Sequence, residues 1–317
     1  MQGTELKQAV VTGASGFLGR LVAGRLAARG VRVLGVDLAP PPEGAGGGWE
    51  HLALPLDQAA GACREFLGAA EGAALLHLAG LADASACAAH PDRAFALNVG
   101  LVAQALDICR TAGGQGRGAA FVLPSTGLVY GPGVDAAHPL TEDAPTSAWG
   151  IYAGTKLAAE ALALAHAAEQ GVPVAVARLS NVYGAGGGAN TVVGRILAQV
   201  RAGGPVVVRD ERPLRDFLHA SDAAEGLIRL AQAALAQGPG AAIVANLSTA
   251  RATSVGQVVD MACELFHVSR GTAGKGAGPQ PLPLVLDNAK LARSTGWKPG
   301  ILLREGLMLP ATTPHTT

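Results

Sequence analysis

The 317-residue sequence predicts an α/β fold with a doubly wound parallel sheet and a smaller carboxy-terminal substrate domain. Short apolar runs alternate with helical patterns through the first half, an order typical of β-α-β units. The apolar runs are continuous rather than alternating, as expected for strands that are buried on both faces. The pattern changes after Arg178, which divides the chain into domains at residues 1–178 and 179–317.

Each predicted element follows from this periodicity. In the first domain, strands are predicted at 8–12, 31–37, 73–79, 119–123 and 172–178, and helices at 16–29, 91–109 and 152–169. In the second, helices are predicted at 191–201, 221–236 and 254–266, and strands at 206–208 and 243–247. Residues 271–283 are predicted to form a loop and 310–317 a frayed tail. Segments near 215–247 are expected to return to the first domain.

Composition and charge exclude several classes of protein. Lysine plus arginine equals aspartate plus glutamate, at 24 each, which argues against nucleic acid as a partner. No apolar run approaches the ~20 residues that cross a bilayer. The four cysteines show no metal-ligand spacing, so neither zinc nor any other metal is expected. Reduced cysteines and the absence of a signal peptide favour the cytoplasm.

A glycine-rich turn follows the first predicted strand. Residues 12–19 read TGASGFLG and open a helix. Gly13 would allow the tight turn, Gly16 the approach of a pyrophosphate, and Gly19 close packing of the helix on the sheet. This arrangement is typical of the Rossmann fold, in which phosphates meet the positive end of a helix.

An acidic residue closes the second predicted strand. Asp37 stands where a carboxylate would bind the ribose hydroxyls of an adenosine. The next basic residue is Arg64, so a 2′-phosphate would be repelled. The predicted cofactor is therefore NAD rather than NADP. Asp57, which ends another apolar stretch, is a further candidate near the adenine.

Two residues indicate acid–base chemistry. Tyr152 and Lys156 are four positions apart in a predicted helix, which places them on one face. A free phenol has a pKa near ~10, and a nearby ammonium would lower it toward the range of a useful base. Thr126 follows a predicted strand, where its hydroxyl could bind a substrate oxygen. An exposed Tyr and Lys on an ordinary helix is the alternative reading.

These motifs together resemble the NAD-dependent epimerase/dehydratase family, the extended short-chain dehydrogenases that act mainly on nucleotide sugars. The resemblance covers nearly the whole chain. Its motifs are TGASGFLG, HLAG from His77, the segment from Pro91 to Gly100, PSTGLVYG, YAGTK, RLSNVYG, RDFLHASD and DNAKLARSTGWKP.

The resemblance implies roles for individual residues. Thr126, Tyr152 and Lys156 would be catalytic, and Asn181 and Arg215, with Thr126, would bind the substrate. Cofactor-binding residues would be Gly13, Gly16, Phe17, Leu18, Gly19, Asp37, Asp57, Leu78, Ala79, Gly80, Asn98, Tyr152 and Lys156. His77 is expected to pack near the cofactor, and His219 to be structural.

Two departures from the family pattern bear on the reaction and the substrate. Gly127 and Leu128 stand where the 4,6-dehydratases carry an Asp-Glu pair, so the acid and base for water elimination are missing. The family's R-x-GD segment, whose Arg touches the substrate diphosphate, has no match. Lys275 or Arg270 are the candidates to replace it.

The prediction is an NAD-dependent nucleotide-sugar epimerase, most simply a UDP-hexose 4-epimerase that acts through a transient keto intermediate. The alternative is a ketoreductase or dehydrogenase that acts on a sugar nucleotide or another small alcohol. A non-catalytic NAD sensor would be favoured by loss of Tyr or Lys, and both are present. The helices at 91–109 and 152–169 are expected to pair with a second copy in a homodimer.

Overall fold

The computed structural model of the chain describes residues 5–40, 48–112, 118–131, 139–188, 191–272, 274, 276 and 281–309. Its strands are β1 (Gln8–Thr12), β2 (Arg32–Asp37), β3 (Glu50–Ala53), β4 (Ala73–His77), β5 (Ala120–Thr126), β6 (Val174–Leu179), β7 (Asn181–Tyr183), β8 (Leu214–Arg215), β9 (Phe217–His219), β10 (Ala242–Leu247) and β11 (Thr253–Ser254). Seven of them form a parallel sheet in the order β10-β6-β5-β4-β1-β2-β3.

The helices are α1 (Phe17–Ala28), α2 (Leu56–Gly68), α3 (Ala84–Ala89), α4 (Pro91–Phe95), α5 (Leu101–Thr111), α6 (Gly150–Gln170), α7 (Val192–Arg201), α8 (Ala220–Gln237), α9 (Val255–Phe266), α10 (Ala289–Thr295) and α11 (Leu303–Met308). A π-helical turn, Ala96–Gly100, joins α4 to α5, and a 3₁₀ turn, Gly127–Tyr130, follows β5. Within the part of the chain that the structure describes, no helix is both long and apolar enough to cross a membrane.

Both faces of the sheet are covered. Ala9 and Val11 of β1 pack with α1 and α8, whereas Val10 packs on the opposite face with α2, α5 and α6. All five residues of β1 are buried, which explains why the central strands read as continuous apolar runs. The predicted doubly wound fold is confirmed.

A smaller lobe has its own core. Ile196 of α7 and Val258 of α9 are fully buried in it, beside Tyr183 and Phe217. Two small pairings, β8 with β11 and β7 with β9, complete the lobe. Between β9 and β11 the chain returns to the main sheet, where α8 packs against the sheet and β10 pairs with β6. The predicted boundary at residue 178 falls one residue before the end of β6.

Several elements differ from the sequence prediction. The pair β3 and α2 was not predicted, because β3 lies at the edge of the sheet, partly exposed, and has no apolar run. The strand predicted at 206–208 is reduced to a single bridge between Val206 and Arg270. The helix predicted at 91–109 contains the π turn and extends to Thr111. The tail 310–317 lies outside the described residues.

Candidate active site

The glycine turn between β1 and α1 forms a close-fitting cradle. Gly13 has φ +67°, and a Cβ there would lie 2.7 Å from the Leu78 carbonyl carbon and from the Ala79 nitrogen. A Cβ on Gly19 would lie 1.9 Å from the Gly13 oxygen. Neither position can take a larger residue without moving backbone. The cradle therefore keeps the amino-terminal end of α1 open to a phosphate, as a dinucleotide requires.

Asp37 lies directly beside this cradle. Its carboxylate accepts hydrogen bonds from the backbone nitrogens of Ser15, at 3.0 Å, and Ala39, at 3.2 Å. Asp57 is exposed in the first turn of α2. Asp37 is the last residue of β2, and Asp57 follows β3, which runs parallel to β2, so both carboxylates come at strand ends on the same edge of the sheet. The residues present thus fit the adenosine half of NAD.

The segment after β4 forms the opposite side of the cradle. The Leu78 nitrogen donates to the Thr12 carbonyl at 3.1 Å, next to Ala79 and the exposed Gly80. Asn98 is buried; its side-chain oxygen accepts from the Leu81 nitrogen at 2.8 Å. Its amide nitrogen donates to the Leu81 carbonyl and to the Thr155 hydroxyl, each at 3.0 Å. Asn98 therefore ties this loop to α6, and the π turn directs it inward.

The predicted catalytic residues meet at the carboxyl end of β5. Thr126 is its last residue, and its hydroxyl hydrogen-bonds the Tyr152 hydroxyl. Tyr152 and Lys156 lie one turn apart on α6. The Lys156 ammonium donates to the Pro124 carbonyl at 2.9 Å, so β5 and α6 are joined at Thr126 and also at Pro124.

Burial governs ionisation at this pair. It raises the pKa of Tyr152 to about 12, and the hydrogen bond from Thr126 opposes that rise. Burial also lowers the pKa of Lys156 to about 8, opposed by the nearby Cys87 and Glu160. The sequence expectation assigned the stabilisation of the phenolate to Lys156 together with the positive nicotinamide. In the structure, Thr126 is the side chain that directly favours the ionised form.

A cleft of about 610 Å³ opens in front of this pair, between the sheet and the smaller lobe. Thr126 and Tyr152 line it on one side, and Asn181 and Arg215 line it from β7 and β8. Arg215 is positioned by hydrogen bonds to the carbonyls of Leu214, at 2.8 Å, and Leu282, at 3.0 Å. The structure thus brings all predicted substrate residues into one cavity.

The cleft is also lined by two arginines that the sequence analysis did not select as substrate-binding residues. Arg195 lies on α7, and Arg209 lies in the segment before β8. Arg270, a sequence candidate for phosphate binding, is held by Glu211 and Asp260 instead. The other candidate, Lys275, lies outside the described residues.

Both histidines that the sequence singled out are buried. His77 Nδ1 lies 2.9 Å from the Thr12 hydroxyl, and burial lowers its pKa to about 3, helped by the charge of Lys156. His77 is therefore neutral at ordinary pH. His219 caps α8 by accepting from the Ser221 nitrogen at 3.2 Å, the structural role that the sequence predicted. The described ranges contain no cluster of His, Cys, Asp and Glu that could hold a metal ion.

A buried ion pair behind the catalytic residues was also missed. Arg178 of β6 donates to both carboxylate oxygens of Glu160, and the shortest distance is 2.8 Å. The hydroxyl of Ser125 also donates to Glu160. Arg178 further donates to the Tyr130 hydroxyl at 3.1 Å. Only the packing of three elements brings these residues together, so their spacing in sequence does not reveal the network.

Solved structures of similar fold are numerous. MoeE5, solved in complex with UDP-glucuronic acid and NAD, is 28% identical, with 95% of this chain and 96% of that chain covered and a TM-score of 0.82. TunA, an NAD-dependent NDP-hexosamine 5,6-dehydratase involved in tunicamycin biosynthesis, is 25% identical, with 95% of each chain covered and a TM-score of 0.78. The UDP-glucose 4-epimerase of Thermotoga maritima is 23% identical, with 95% of this chain and 96% of that chain covered and a TM-score of 0.82, which supports the fold.

No curated protein matches the chain. The family model described as "NAD dependent epimerase/dehydratase family" matches residues 9–245, which include the glycine cradle, the predicted catalytic pair and nearly all of the seven-stranded sheet. That match extends over most of the chain and agrees with the NAD-bound structure of MoeE5. The chain is an NAD-dependent enzyme and belongs to the NAD-dependent epimerase/dehydratase family.

Proposed function

We propose that the enzyme epimerises a nucleotide sugar, most simply a UDP-hexose at carbon 4, through a transient keto intermediate. The observation that carries the proposal is the single cleft in which the Thr126–Tyr152 pair faces Asn181 and Arg215. A proton acceptor and a guanidinium in one cavity suit a substrate that has both a reactive hydroxyl and a phosphate. The UDP-sugar complexes of MoeE5, at 28% identity, support this substrate class.

The cofactor would lie along the carboxyl edge of the sheet. NAD supplies the hydride chemistry, and the protein supplies binding and orientation. Asp37 would bind the adenosine ribose and Asp57 would approach the adenine. Lys156 would reach the nicotinamide ribose, and Asn98 would act by ordering the loop at Gly80. The remaining proposed contacts are Gly13, Gly16, Phe17, Leu18, Gly19, Leu78, Ala79 and Tyr152.

The chain's own chemical step is proton transfer. Tyr152, as phenolate, would accept the proton of the substrate hydroxyl while the Thr126 hydroxyl binds the same oxygen. Leu128 lines the cleft where the 4,6-dehydratases of the family carry an acidic residue, and its side chain cannot move a proton. We therefore favour epimerisation over water elimination.

Incubation of the NAD-loaded enzyme with UDP-, dTDP-, GDP- and CDP-sugars tests the proposal. We expect one of them to yield its epimer by NMR with no net change in NADH absorbance. The alternative, a ketoreductase or dehydrogenase, predicts stoichiometric NADH and a keto product. Failure of every nucleotide sugar to react would contradict both forms of the nucleotide-sugar proposal and favour another small alcohol.

Asp37→Ala should weaken NAD binding by about 10- to 100-fold, the usual cost of losing a hydrogen bond to a charged group. The variant should also prefer NAD over NADP less strongly, because it lacks the carboxylate that would repel the 2′-phosphate of NADP. Calorimetric titration with both cofactors measures this. Asp92→Ala, an exposed carboxylate on α4, is the matched control. Equal NAD affinity in the two variants would remove Asp37 from the ribose site.

We also propose a homodimer formed by α4 to α6 and their counterparts in a second copy. Phe95 and Ile151 support it, because these large apolar residues remain 59% and 41% exposed in the single chain. Sedimentation equilibrium should give twice the chain mass, and Phe95→Glu should shift the protein toward the monomer. A wild-type protein of single-chain mass would contradict the proposal.

The compartment we propose is the cytoplasm. All four cysteines are free, and three of them are buried, so the fold does not depend on an oxidising environment. Cell fractionation with detection of the protein tests this, and recovery outside the cytoplasmic fraction would contradict it.

A further inference from the structure

We propose that Arg195 of α7 binds the substrate diphosphate together with Arg215, in place of the arginine that the R-x-GD segment supplies elsewhere in the family. This inference rests on the proposed nucleotide-sugar function and extends it to a residue that no sequence motif marks. Arg195 and Arg215 line one cleft from different elements, so the cleft offers two guanidinium groups to one anionic ligand.

The faces of α7 explain why Arg195 points toward the cleft. Val193, Ile196 and Val200 are buried in the core of the smaller lobe. Val192, Arg195 and Gln199 follow helical spacing on another stripe, and all three line the cleft. The amphipathic pattern that packs α7 on its lobe therefore also presents Arg195 to the ligand.

This stripe is held in place at both ends. The Thr191 hydroxyl caps α7 by accepting from the Gly194 nitrogen at 3.0 Å. One turn after Arg195, the Gln199 side chain makes two hydrogen bonds with the Val207 backbone, at 2.8 and 3.1 Å. A guanidinium on a fixed helix loses less freedom on binding a phosphate than one on a loop.

The charge of the cleft matches a ligand with more than one negative charge. Arg195, Arg209 and Arg215 line it, and the acidic Asp210 is ion-paired with Arg212 at 2.8 Å. Much of the remaining lining is aliphatic. Three cations in a largely apolar cavity suit a diphosphate, whose oxygens accept paired hydrogen bonds from guanidinium groups. Arg270, the sequence candidate, pairs with Glu211 and Asp260 and is not among the residues that line the cleft.

The test is calorimetric titration of the NAD-loaded protein with UDP, dTDP, GDP and CDP. The nucleotide that binds the wild type most tightly is then compared with its own nucleoside in each variant. We expect Arg195→Ala to weaken binding of the nucleoside diphosphate by about 10- to 100-fold and to leave binding of the nucleoside unchanged. Arg195→Lys should retain part of the affinity, because it keeps the charge but loses the planar fork.

Arg201→Ala is the matched control, since it removes an exposed arginine from the last turn of the same helix. Circular dichroism melting of each variant establishes that the fold is retained. The inference is overturned if Arg195→Ala binds the diphosphate as tightly as Arg201→Ala does. Arg209→Ala is titrated in the same way, because Arg209 lines the same cleft. The inference is also overturned if Arg195→Ala loses affinity for the nucleoside and the diphosphate equally, or if Arg209→Ala alone loses affinity for the diphosphate.

Different results would contradict the nucleotide-sugar function and the role of Arg195. A wild-type protein that binds none of the four nucleoside diphosphates contradicts the proposed function itself and the role of Arg195 with it. A wild-type protein that binds one of them, with no loss in Arg195→Ala, leaves the proposed function standing and removes Arg195 alone.

Discussion

Tyr152→Phe should reduce kcat by about 10²- to 10⁴-fold, the usual contribution of a general acid–base group. The phenol is the group that hydrogen-bonds Thr126 at the mouth of the cleft, and phenylalanine keeps its ring but cannot exchange a proton. NAD affinity should change little. Steady-state turnover of the substrate identified by the nucleotide-sugar panel, together with NAD titration of the variant, measures both quantities.

The pH profile separates loss of a proton acceptor from loss of packing. Burial raises the pKa of Tyr152 to about 12 in the protein alone, and the positive nicotinamide of bound NAD favours the phenolate. The wild-type rate should therefore increase with pH through the neutral range, and the residual rate of Tyr152→Phe should not. Tyr183→Phe is the matched control, because Tyr183 also lines the cleft but its hydroxyl donates to the Leu303 carbonyl at 3.4 Å. Turnover of Tyr152→Phe close to that of Tyr183→Phe would remove Tyr152 from the mechanism.

The sequence predicts the sheet better than the cleft. Buried strands such as β1 and β6 read as apolar runs, and the glycine turn depends on local backbone geometry that Gly13 and Gly19 alone permit. The apolar runs and the glycine turn each lie within a short segment of the sequence, so they can be recognised without the tertiary structure. The edge strand β3 has no such run, since no strand of the described residues pairs with its outer edge and its side chains are partly exposed.

The missed cleft residues show why the substrate site is harder to predict. The helix carrying Arg195 was expected within one residue of its observed start, but the stripe that faces the cleft depends on how α7 packs against α9. The same holds for Glu160, which is four positions after Lys156 and on the same helix. Its partner Arg178 lies on β6, and the pairing requires the finished sheet.

Glu160→Gln should lower the free energy of unfolding by about 3–5 kcal/mol, since it leaves the Arg178 guanidinium buried without its counter-charge. Both side chains are almost completely buried, at 4% and 9% exposure, and the ion pair measures 2.8 Å. Arg178→Met should have an effect of similar size. Urea unfolding of each variant, followed by circular dichroism, gives the change directly.

The double variant Glu160→Gln/Arg178→Met should be less destabilised than the sum of the two single changes, because it leaves no buried charge unpaired. The matched control is Glu264→Gln, which breaks the exposed pair with Arg304 at 2.6 Å and should cost no more than about 1 kcal/mol. A Glu160→Gln variant as stable as Glu264→Gln would show that the buried network contributes no stability.

Loss of this network should also reduce catalysis. Ser125, which donates to Glu160, immediately precedes Thr126, and Glu160 lies one turn after Lys156 on α6. The network therefore holds the end of β5 and the catalytic face of α6 at a fixed distance. In Glu160→Gln we expect a lower kcat with little change in KM, since the proposed substrate residues Asn181 and Arg215 lie on β7 and β8, outside this network. A variant that is destabilised by several kcal/mol but fully active while folded would show that the network supports the fold without positioning Thr126 and Lys156.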